Sequence, residues 1–100
     1  MTQVSAEHRL LIDLCLSHLV PFFWQGPGLL LIDAKGASLV LDDLDTRGIA
    51  VLGLDGFELR GSSVRPRLDL IYSAGTSPET LVPRVVVDSW PDNTWVDVTI

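Results

Sequence analysis

His8, Cys15 and His18 are the residues whose types could do chemistry, and their spacings of seven and three put them near one face of a helix. Imidazole and thiolate at such spacing serve a metal ion or a Cys/His nucleophile, but either needs another ligand or an orienting acid. The sequence marks none, so Cys15 reads as a core residue and the two histidines as boundary residues. The carboxylates come next. Asp42, Asp43 and Asp45 fall within four positions, and Asp55 and Glu58 follow. The D-x-D-x-D-G calcium loop with its terminal Glu is absent. No acid/base pair is singled out, and no serine lies in an elbow sequence. Gly26-Pro27-Gly28 lacks the spacing and the following helix of a phosphate loop. No enzyme, no metal and no cofactor are expected.

The elements that must position these residues are legible as patterns. Ser5 to Leu19 predicts a helix with Ser5 as N-cap, Glu7 near the positive end of its dipole and Pro21 as its stop. Arg9, Asp13 and Ser17 form its narrow polar stripe, so the rest is expected to be mostly buried. Phe22-Phe23-Trp24 is an aromatic elbow that either plugs the end of a core or offers Trp24 as an anchor. Leu29 to Asp33 reads as a short buried strand. Ser38 to Arg47 fits a helix capped by Ser38 and closed by Gly48, in preference to a hairpin of Leu29–Asp33 with Leu39–Asp42. Its exposed side carries Asp42, Asp43 and Asp45, a pattern that is usually a solvated face and otherwise docks a cationic partner.

Gly48 to Tyr72 is the densest β signal. Ile49 to Leu52 is apolar on both faces, as in a central strand of a parallel sheet. Beyond Gly53 and Gly56, Phe57 and Leu59 alternate with Glu58 and Arg60, so a bend at the glycines should turn Asp55 outward. Gly61-Ser62-Ser63 turns the chain into Val64 to Tyr72, with Pro66 at an edge or unpaired position. Ser77-Pro78-Glu79 starts a helix that runs to Trp90, although Val85-Val86-Val87 would also suit a strand. Trp95 to Ile100 alternates as a final strand. The expected architecture is α+β, close to α/β. It has a single mixed sheet of about five strands with a central hairpin, about three helices and two right-handed β-α-β crossovers, in one domain spanning 1–100.

The hydrophobic share is 47%, the charged share 20%, and no apolar run approaches the roughly 20 residues that span a bilayer. The start of the chain lacks a basic n-region, so no signal peptide is expected, and a lone cysteine fits the cytoplasm. Thirteen carboxylates against seven basic groups give a formal net charge of −6. That charge disfavours nucleic acid and favours a basic protein. In size and charge the chain resembles small acidic bacterial immunity proteins, which bind and block a toxin, often a nuclease with a basic cleft. Its order of elements departs from the best-known inhibitor of that class, so no fold is carried over. The resemblance implies an inhibitor in which Asp42, Asp43, Asp45, Asp55 and Glu58 stand in for phosphates, with Trp24 or Trp95 as apolar anchor. The alternative is a homo-oligomeric structural or adaptor domain, for example a homodimer, that uses an edge strand at Trp95–Ile100, with a small enzyme less favoured.

Overall fold

The Ser5 hydroxyl accepts a hydrogen bond from the His8 amide at 3.1 Å, and helix α1 runs from there over Ala6–His18. The computed structural model describes residues 5–26, 28–75 and 82–100. In chain order α1 is followed by β1 (Phe22–Trp24), β2 (Leu30–Asp33), α2 (Ala34–Thr46), β3 (Gly53–Arg60), β4 (Ser63–Ser73), α3 (Pro83–Asp88) and β5 (Thr94–Thr99). The fold is α+β, and the described residues form one five-stranded sheet in the order β1-β2-β5-β3-β4 and three helices.

Among the described residues every strand pairing is antiparallel, against the expectation of a mixed sheet. The reason lies in β5. It pairs with both β2 and β3, so those two strands run parallel to each other with β5 between them, joined through α2. β4 and β5 are likewise parallel, joined through α3 and separated by β3. Both expected β-α-β units therefore exist, each split by a third strand. The strand expected at the C-terminal edge is internal, and the hairpin expected at the centre supplies the edge strand β4.

Local chemistry explains the other departures. α2 begins at Ala34, because the Asp33 carboxylate at the end of β2 caps the Lys35 amide at 3.2 Å, ahead of Ser38. Gly36 lies inside α2 because a Cβ there would meet a Val20 methyl at 2.8 Å. At the other end Gly48 has φ +72°, its amide bonds to the Asp45 carbonyl, and the Ile49 amide bonds to the Leu44 carbonyl at 2.9 Å. This is a Schellman closure. It takes up Ile49, so 49–52 is a connection rather than a central strand, and β3 starts at Gly53. The helix start expected at Ser77-Pro78-Glu79 falls outside the described residues; α3 begins with Pro83 at its first turn.

One cluster gathers Leu11, Leu14 and Cys15 of α1, Val40, Leu41 and Leu44 of α2, Val87 of α3, and Leu30, Ile32, Leu54, Val96 and Val98 of the sheet. α1 buries one face only: Leu16 is exposed and Leu19, at φ 56°, is 90% exposed, against the expectation of a mostly buried helix. The strand residues in the cluster share one parity, so the helices pack on one side of the sheet. β3 pairs with β5 without interruption, and its register with β4 shifts between Asp55 and Gly56. The expected irregularity is at the right place, but the extra residues, Leu68 to Leu70, belong to β4. Arg67 clamps the bulge by donating from Nε and Nη2 to the two Asp69 carboxylate oxygens at 3.0 and 2.8 Å.

Candidate binding face

The opposite parity of the strands forms the second side of the sheet. Asp55 lies directly across from Asp97, and in the neighbouring row Phe57 lies across from Trp95. Phe23 on β1 meets Trp95 edge-on, with ring centroids 4.8 Å apart. Leu31 on β2, opposite Phe23, is fully buried yet is not part of the cluster beneath the helices. Toward the hairpin the face continues as Leu59 opposite Val64, and Phe57 opposite Pro66. The result is an apolar and aromatic sheet face with two half-buried carboxylates at its centre.

Directly opposed residues of an antiparallel pair have Cβ atoms about 4.5–5.5 Å apart, so the two carboxylates share one small volume. Neither has a hydrogen-bond or ion-pair partner among the described residues. Burial, and then the Asp55 charge, push the Asp97 carboxyl above its usual 3.8, with His8 acting against them. Burial keeps the ionised form of Asp97 costly, and an incoming positive charge would offset that cost.

The acids of α2 are arranged differently. Asp43 Oδ1 accepts from Arg47 Nε at 2.8 Å and its Oδ2 lies 2.9 Å from His18 Nε2. Arg47 and then His18 hold its carboxyl below the usual 3.8. Asp42 accepts from Arg84 Nη1 at 3.2 Å. Asp45 is exposed at the rim of a cavity of about 210 Å³ lined by Leu41, Ile49, Tyr72, Pro83 and Arg84. That volume falls below the usual range of small-molecule sites, about 300–1,000 Å³. Glu58 points to the helix side of the sheet, opposite Arg65 and 3.2 Å from Arg60 Nε. Trp24, 40% exposed, sits edge-on to His8 with centroids 5.2 Å apart, on the helix side of β1.

Of the seven candidate residues, only Asp55 and Trp95 therefore lie on this face. Asp42, Asp43 and Asp45 belong to the helix layer across the sheet, and two of the three are engaged by cations of the chain itself. Asp97, Phe57 and Phe23 were missing from the candidates. The Trp95-Val96-Asp97 alternation does place Asp97 beside Trp95, but nothing local shows that Asp55 would lie opposite. Among the described residues no three His, Cys, Asp or Glu side chains gather as metal ligands do, and no helix is long and apolar enough to cross a membrane. Neither a family model, nor a characterised protein, nor a solved structure matches the chain.

Proposed function

We propose that the chain is a small acidic protein-binding module of the immunity-protein kind, which blocks a basic partner such as a toxin or nuclease. The observation that carries this reading is the Asp55–Asp97 pair, without an ion-pair partner among the described residues, in an apolar sheet face that no described helix covers. Apolar surface supplies affinity, and charge of one sign inside it selects a partner of the other sign and speeds encounter. The acids of α2 add to the long-range field of a chain with net charge −6, while the short-range capacity of Asp42 and Asp43 is taken up internally.

The test is capture of a purified basic partner by wild-type protein and by Asp55→Asn/Asp97→Asn, with Asp42→Asn/Asp45→Asn as comparison. Loss of capture with the first pair, and slower association with slow dissociation retained in the second, is the expected result. A sheet-face variant that binds with unchanged rates would end this reading.

A further inference from the structure

We infer that the sheet face receives an arginine presented by an apolar segment of the partner, its guanidinium bridging Asp55 and Asp97 and stacking beside Trp95 and Phe57. The inference rests on the binding-module reading above and names the chemistry that the face selects. Two carboxylates facing each other across adjacent strands present several acceptor oxygens within one side-chain width. A guanidinium has five donors in a planar fork and can bond both at once, whereas an ammonium is a compact, strongly hydrated point charge. The neighbouring row is the Phe57–Trp95 pair, whose ring faces attract a planar cation. On the other side of the acids the row is Gly53 and Thr99, both small, while the exposed Ile71 lies across from Asp55 on β4 and adds apolar surface beside the pair. Half-burial also favours arginine, because a guanidinium is more weakly hydrated than an ammonium and loses less on entering an apolar face.

The same geometry disfavours two competing occupants. A second copy docking through this face would bring Asp55 and Asp97 near their own counterparts, in a chain already at −6. The β4 edge is blunted against strand addition by Pro66, by the bulge at Leu68–Leu70 and by Arg65 and Arg67.

The experiment titrates the isotope-labelled full chain, followed by amide and indole NMR signals, with three capped tripeptides, Leu-Arg-Leu, Leu-Lys-Leu and Leu-citrulline-Leu. Citrulline keeps the shape of arginine without its charge. The arginine peptide is expected to move the signals of Asp55, Asp97 and the Trp95 indole, and to bind about tenfold more tightly than the citrulline peptide and measurably more tightly than the lysine peptide. Asp55→Asn/Asp97→Asn, checked for an unchanged fold by its remaining signals, should erase that preference. Equal response to all three peptides, shifts that map to α2 or β4, no binding up to about 10 mM, or self-association that buries Trp95 would each overturn the inference. If the peptides show no preference while capture of the basic partner still depends on Asp55 and Asp97, the arginine inference alone fails. If neither depends on them, the binding-module reading fails as well.

Discussion

His18 Nε2 lies 2.9 Å from Asp43 Oδ2, which ties the last turn of α1 to the outer side of α2, while Arg47 holds the other oxygen of the same carboxylate. A carboxyl held below its usual value contributes stability that is present above 3.8 and lost as pH falls through the lowered folded value. Asp43→Asn should therefore lower the urea midpoint at pH 7, and the gap to wild type should close as pH falls below 3.8 and through the lowered folded value. Asp45→Asn should barely change either. Equal midpoints for Asp43→Asn and wild type at pH 7 would remove the tie.

Asp97 works with the opposite sign. Its folded value is raised, so the ionised form opposes folding, and this contribution to stability improves as pH falls through the raised value toward 3.8. Asp97→Asn should be more stable than wild type at pH 7, with the difference shrinking in acid. The same variant should bind a basic partner less well, and separation of the two effects by denaturation and binding assays distinguishes a receptor carboxylate from a packing residue.

Gly56 faces the helix layer, where a Cβ would lie 2.7 Å from the Leu70 Cβ, 3.0 Å from the Leu70 carbonyl oxygen and 3.3 Å from the Trp90 ring. Gly56→Ala should cost about 1–3 kcal/mol, the usual range for overpacking. Gly61→Ala in the hairpin turn has open space and should act only through its positive φ of 57°. Urea unfolding of the two variants measures the contrast.

Leu19 occupies the left-handed position that closes α1, where glycine is the usual residue. Leu19→Gly should stabilise the fold by roughly 1 kcal/mol by relieving that conformation. It also removes an exposed apolar side chain, so improved solubility is expected beside a higher melting temperature. A melting temperature at or below that of wild type would show that Leu19 makes compensating contacts.

Cys15 is fully buried, and burial pushes its thiol up to about 11. It should react with a thiol reagent only as fast as the protein unfolds. Cys15→Ser should lose about 1–3 kcal/mol, because a hydroxyl replaces a small apolar group, with partner binding intact. Prompt labelling of the folded protein would contradict the structural role.

Most of the elements were readable because their signals are local. Ser5 before a leucine-rich periodicity, Gly48 after one, and the Gly61-Ser62 turn between alternating runs each act within a few residues. The start of β3 was misplaced because Ile49 to Leu52 has the composition of a buried strand, while its first residue is taken up by the helix closure behind it. Strand order was not readable, since nothing in Trp95–Thr99 says that it inserts between β2 and β3. The candidate face has the same gap: the sequence marks Asp55 and Trp95 only singly, and the acids of α2 stand out by being close in sequence, which says nothing about which cations neutralise them.

The internal place of β5 also sets the sequence of events in folding. Ile32 and Val96 pair across 64 positions, so the two halves of the sheet cannot join until the final strand has left the ribosome. Until then the β1–β2 pair and the β3–β4 hairpin each expose an unpaired inner edge, together with the aromatic residues of the open face. Such non-local closure is slow and leaves nascent chains prone to aggregation. Loss of β5 from a released fragment would therefore leave two unjoined hairpins whose unpaired edges can pair with other chains.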